Sequence, residues 1–336
     1  MKKAFSLFVF LLFFISGHAQ ELKADTNRLA KSKPEKVLVG IYVTSIHDID
    51  FKAKEYEIHF WIWLRYKNRN FDFGRFLEIP NAKTFTKLLD STYIAHDSVF
   101  LQMKVQCTMK DSWKVSNYPF DRQTLRISFE NSQFNSDSLL FVEDTVGEHY
   151  DSIAASKGRV LNGWNIDSLT IRTGKKEYQT NFGNAAISQA KESYSTFRLR
   201  INISRPVWGL FLKTFLGMYI AFLIAFVCFF IHADGIDSRF GLSVGSLFAV
   251  VGNKYIIDSA LPETTSFTLV DTLHGLTLFV IFIVISATAV SLRLIKQDKI
   301  KQARRFDNVV AAIIFLLYFL ANIWFIYAAI KTVDGN

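Results

Sequence analysis

The residues that could do chemistry fall into a few groups, and most of them admit two readings. Gly241, Leu242, Ser243, Val244 and Gly245 satisfy the pattern G-x-S-x-G, and His274 follows on a later apolar stretch. A serine and a histidine brought together would be a nucleophile and its base, hence a serine hydrolase working inside a membrane. That pattern works on a strand, a sharp turn and a helix, whereas Ser243 lies inside an apolar run with no acid to orient the histidine. His274 stands three residues after Asp271; it could sense protons near neutral pH or simply hydrogen-bond a neighbouring helix. Glu143, Asp144, Glu148 and Asp151 crowd one connection, where they are either oxygen ligands for a divalent cation or a solvated acidic loop. No histidine and cysteine cluster has the spacing of a zinc site, and no glycine-lysine phosphate loop occurs, so neither a metalloenzyme nor a cofactor is expected.

A different pattern runs through the same apolar stretch. Gly241, Gly245, Phe248, Gly252, Tyr255 and Ser259 recur at alternating spacings of four and three, which puts them on one face of a helix. Several copies of this face around an axis would make a wide tube, with a ring of Phe248 as an apolar gate that closes by dewetting. The same glycines would equally permit close helix packing. Asn253, Lys254 and Asp258 share the stretch, and a Lys or Asp at the centre of a span costs about 2.5 to 3.5 kcal/mol on insertion scales. The helix is therefore expected to be sheltered by its neighbours, with Lys254 and Asp258 paired four residues apart.

These groups need elements to position them, and the composition of the 336 residues changes near Arg205 from polar and alternating to apolar. Before that point, stretches 37–46, 55–66, 98–107, 123–130, 164–172 and 194–204 are rich in β-branched and aromatic residues separated by turn-forming segments. They predict an all-β sandwich of immunoglobulin-like type, with connections at 137–151 and 172–192. Residues 1–19 combine Lys2 and Lys3, a short apolar run and a small-residue cleavage site, the signature of a signal peptide. After Arg205, apolar segments 207–231, 240–261, 267–294 and 309–330 are each long enough to cross a bilayer as a helix. The domains expected are thus 20–205 and 206–336. The formal charge of +9 would ordinarily raise nucleic acid as a partner, but Arg293, Lys296, Lys299, Lys301, Arg304 and Arg305 crowd one loop. That is the positive-inside pattern, so the basicity reports topology: both ends of the membrane domain lie outside the cytoplasm and nucleic acid is not expected. Cys107 and Cys228 fall in different halves and cannot bond within one chain.

Tyr118, Pro119, Phe120 and Asp121 introduce a clean strand, and Pro119 stiffens the loop tip they form. With the sandwich and the four spans, this YPFD tip resembles the pentameric ligand-gated ion channels, the Cys-loop receptor family, in their bacterial form. The family's loop carries aromatic-Pro-x-Asp between two cysteines; Pro119 and Asp121 match, while Asp111 and Leu125 stand near the cysteine positions, as in bacterial members that lack the disulfide. The resemblance implies a homopentamer in the bacterial cell membrane, passing inorganic ions without catalysis, with an unidentified small molecule or protons as agonist. It implies that Asp121 pairs with Arg205, that the tip presses on the segment from Pro262 to Phe267, and that Asp237 with the stripe lines the pore. An acidic ring at Asp237 would favour cations, against which Arg239 counts. Tyr150, Tyr178, Phe182 and Tyr194 would line the agonist site, and Gly217 would stand in for the family's proline in the first span. A nonconducting pentameric receptor of the same fold remains the alternative.

Overall fold

The computed structural model describes residues 33–146, 161–183, 191–232 and 235–334. The expected signal peptide, Tyr150, Glu148 and Asp151 lie outside these residues. Before Arg205 the chain forms strands β1 (Glu35–Asp50), β2 (Glu55–Tyr66), β3 (Leu77–Glu78), β4 (Ala82–Ala95), β5 (Ser98–Lys110), β6 (Arg122–Asn131), β7 (Leu139–Glu143), β8 (Asn165–Tyr178) and β9 (Glu192–Ser204). One sheet has the order β4-β5-β2-β1-β7 and the other β3-β6-β9-β8. Alternation decides which faces meet. In β2 the residues Tyr56, Ile58, Phe60, Ile62 and Leu64 are buried, while Glu57, His59, Trp61 and Trp63 point outward. Leu125, Ile127 and Phe129 of β6 and Phe197, Leu199 and Ile201 of β9 close the core from the opposite sheet, with the rings of Phe60 and Phe129 5.6 Å apart. Each such side chain contributes about 1.5 to 3 kcal/mol on burial, so the alternation makes this an all-β sandwich.

Three strands escaped the sequence reading. β4 is almost wholly exposed along its length and has no buried face to impose a period on its residues. β3 is two residues long, and β7 lies within the connection 137–151, where its five residues pair parallel with β1. The connection 172–192 also shortens, because β8 continues to Tyr178 in register with β9.

After β9, four helices are long and apolar enough to cross a membrane: Val207–Phe230, Ile236–Ala260, Leu269–Ile295 and Ile300–Thr332. The third begins at a capping box in which Thr268 and Asp271 each receive the other's backbone N–H. The fourth helix starts nine residues before its apolar run, so Lys301, Arg304 and Arg305 stand on its first turns and not in a loop. Hydropathy marks where a helix enters lipid, not where its hydrogen bonding starts. The first helix runs unbroken through Gly217, whose missing Cβ would lie 3.1 Å from the Asn253 amide nitrogen. That glycine permits close approach of two helices, a role distinct from the bend expected of it.

Candidate functional site

The YPFD tip hangs from β5 and β6 on a loop built by short-range bonds. Gln123 donates to the Lys114 carbonyl and accepts from its N–H, and also donates to Asp121 at 2.6 Å. At the base of the loop Asp111 pairs with Arg126 at 2.8 Å, beside the place where the resemblance puts a cysteine. The Tyr118–Pro119 bond is cis. Tyr118 packs on both the sandwich core and the helix core, and Phe120 is buried among helix residues with its ring 5.7 Å from that of Phe211. The Leu269 N–H, at the start of the third helix, donates to the Ser116 carbonyl at 2.8 Å. The contacts of the tip thus reach the first and third helices, with Leu261 also touching both cores. Pro262 is buried, whereas residues 263–267 are exposed.

Arg205 closes this junction. Its Nε is 3.5 Å from Asp121 Oδ1. The guanidinium lies 3.9 Å from the ring centre of Trp164, 4.4 Å from Phe51 and 5.3 Å from Tyr118. Burial pushes the Asp121 carboxyl above the ordinary carboxylate range, with the charge of Arg205 pulling the other way. Phe51 and Trp164 were not singled out from the sequence, because they come from separate turns and meet Arg205 only in three dimensions.

The second helix has two faces. Arg239, Ser243, Ser246 and Val250 are buried against the rest of the chain. Asp237, Gly241, Gly245, Phe248, Gly252, Tyr255 and Ser259 are all exposed, Phe248 to 67%. A Cβ built on Gly241, Gly245 or Gly252 meets no atom within 4 Å, so these glycines ease no packing within one chain. The shelter expected for this helix is not supplied by its own neighbours; it is the least buried of the four. Its polar groups are satisfied by specific pairs, one within the helix and two with the third: Lys254 reaches Asp258 at 2.6 Å and Asp271 at 2.8 Å, and Asn253 lies 2.9 Å from His274 Nε2. Arg239 is turned inward, donating to the Ile231 carbonyl and pairing with Asp307 at 2.9 Å, while Ser291 also donates to Asp307.

The serine hydrolase arrangement is not assembled. Ser243 Oγ donates to the Arg239 carbonyl at 2.9 Å and lies 3.2 Å from Cys228 Sγ. His274 is engaged by Val270 and by Asn253, and Asn253 lies about 15 Å along the helix from Ser243 at 1.5 Å per residue.

Of the proposed agonist residues, Tyr178, Phe182 and Tyr194 come together at the end of β8 and β9, with ring centres 5.3, 5.8 and 6.1 Å apart. Tyr178 donates to Glu130 at 2.6 Å and Tyr194 to Glu192 at 2.7 Å. Burial and the adjacent Glu192 push the Tyr194 hydroxyl up to about 12, so it remains a donor. Lys176 lies 4.4 Å from the ring centre of Tyr178. In the acidic connection, Asp144 is turned inward, accepting from Trp63 at 3.0 Å with Arg65 at 3.7 Å. The sequence reading missed one group altogether: His47, Glu57 and His59 converge on the outer face of β1 and β2. The signal was present in Glu57-Ile58-His59, two polar side chains on one face of a strand.

No protein-family model matches the chain. It is 21% identical over 253 residues to a protein described as a proton-gated ion channel from Gloeobacter violaceus, a match covering 69% of this chain and 66% of that protein. The match therefore spans just under two thirds of the relative's length. The resemblance read from the sequence stands, since a β-sandwich followed by four apolar helices is the architecture that it implies.

Proposed function

We propose that this chain is one subunit of a homopentameric ligand-gated ion channel of a bacterial cell membrane, with its sandwich and C-terminus outside the cytoplasm. The observation that carries the reading is the exposed stripe from Asp237 to Ser259 on the second helix, open above its glycines and opposite the face that holds the chain together. A face that its own chain leaves bare, bearing serine, tyrosine and glycine, suits a wetted axis shared by several subunits better than lipid. Leu88, Leu89, Tyr93 and Ile94 are likewise exposed on the edge strand β4, where a neighbouring sandwich would cover them. Phe248 forms the apolar constriction of this pore.

Charge at the inner end supports cations. Asp237 is exposed in the first turn of the helix, while Arg239, two residues on, is withdrawn into its pair with Asp307. The objection that Arg239 raised to a cation-selective mouth loses its force once that charge is spent inside the subunit. Agonist binding falls to Tyr178, Phe182 and Tyr194, whose rings suit an organic cation. Movement there passes down β9 to Arg205, and from the cage of Arg205 through Phe120 and Ser116 to the first and third helices. Protons are a second stimulus, supported by the burial-raised carboxyl of Asp121 and by what the relative is described as sensing.

Voltage-clamp recording of Phe248→Ala beside wild type, at matched surface expression, tests the reading without knowledge of the agonist. Leak current in the variant alone is the expected result, and its reversal potential reads selectivity. Silence from a well-expressed assembly would overturn the channel and favour the nonconducting receptor.

A further inference from the structure

The outer face of β1 and β2 carries a group of side chains with no part in the pore or the junction. The antiparallel register sets His47 opposite Glu57, and His59 follows Glu57 on the same face of β2. His59 Nε2 lies 3.1 Å from Glu57 Oε1, and His47 Nε2 lies 4.0 Å from the same oxygen. One ligand atom from each residue falls within 4.8 Å of the others. The Nδ1 of His47 is 2.8 Å from Asp48 Oδ2, so a carboxylate fixes the imidazole with its other nitrogen toward Glu57. That is the outer-shell arrangement that orients metal-bound histidines. Gln106, from β5, donates to Glu57 and holds it from the other side.

We propose that His47, Glu57 and His59 bind a divalent transition-metal cation, with Zn2+ the best match. Two imidazoles and one carboxylate, with water in the fourth position, are a zinc ligand set; Ca2+ and Mg2+ demand oxygen. Bonds of 2.0 to 2.1 Å in a tetrahedron put ligand atoms about 3.3 Å apart, so small side-chain rotations from the observed spacings suffice. All three side chains are partly exposed, which gives a cation access. The bound ion ties the two strands together just above the turn where Phe51 lies 4.4 Å from the Arg205 guanidinium. It therefore stiffens the hairpin that meets the junction. Binding stands on these side chains alone, whether or not the assembly conducts.

The test is calorimetric titration of Zn2+ into the purified full chain in detergent, stripped with chelator and freed of any purification histidines, with Co2+ absorption reporting coordination number. Saturable binding at one ion per chain is expected, with the intense visible bands of tetrahedral Co2+. His59→Ala and Glu57→Gln should each weaken it by at least about 10-fold, and Asp48→Asn by about 10-fold through the orientation of His47. The metal-free thermal midpoint of each variant checks that the surface changes leave the fold intact. Unsaturated titration of the wild type overturns the proposal, as does unchanged affinity in His59→Ala and Glu57→Gln; should either variant misfold, His47→Gln substitutes for it.

Discussion

Arg205 and Asp121 should respond to substitution very unequally, although they form one pair. The Asp121 side chain is 1% exposed and that of Arg205 14%. Arg205→Met leaves a carboxylate with no opposite charge in a site that already disfavours its ionised form, a change expected to cost about 3 to 5 kcal/mol. Asp121→Asn leaves a cation that still lies against the faces of Trp164, Phe51 and Tyr118. Each such contact is worth about 0.5 to 2 kcal/mol, so the loss should be only about 1 to 2 kcal/mol. With both changes no buried charge is left over. The double variant should then fall short of the sum of the single losses by about 2 kcal/mol or more. Denaturant unfolding at fixed detergent measures the cycle, with Trp164, 3.9 Å beneath the guanidinium, reporting locally through its fluorescence. Additivity within about 0.5 kcal/mol would mean that the two residues act independently and would refute the reasoning.

The same carboxyl makes a prediction about pH. Because burial raises the Asp121 pKa in the folded state, its contribution to stability is full below the ordinary carboxylate range and is lost as pH rises through the folded value. Relative to Asp121→Asn, the wild-type midpoint should therefore rise as pH falls from 7 toward 4; a relative fall would reverse the sign and sink the assignment. Where the end of the first helix and the start of the second meet the fourth, Asp307→Asn strands the cation of Arg239, which is 2% exposed. A loss of about 3 to 5 kcal/mol is expected, visible as a lowered thermal midpoint in detergent, and an unchanged midpoint would show that the pair is dispensable.

How much of this was legible in the sequence depended on periodicity. β2 and β9 declare themselves because each has one face in the core, and the four helices because lipid demands long apolar runs. β4 was invisible for the opposite reason: nothing in a single chain buries it. The stripe on the second helix was legible as a pattern, but a pattern could not say whether its glycines were packed or bare. Open space above Gly241, Gly245 and Gly252 answers that for the single subunit. Spacing alone sets Arg239 beside Asp237, but two residues along a helix is a turn of about 200°, enough to carry it away from Asp237 toward Asp307. The cage around Arg205 was out of reach, and of the group of His47, Glu57 and His59 only the shared face of Glu57 and His59 was legible, since register and turns, not spacing, bring the other residues in.

The loop that carries the YPFD tip is closed at its base by Asp111 and Arg126, a pair that reducing agents do not touch. Both cysteines are buried and unpaired, and burial lifts the Cys107 thiol to about 12, far from the thiolate that alkylating reagents attack. For thiol chemistry the described chain is close to a blank background. A cysteine introduced at Phe182 or Tyr255, both exposed, would react ahead of the native pair, so spectroscopic labels could be placed at the aromatic cluster where β8 ends and β9 begins or on the exposed stripe of the second helix without first rebuilding the protein.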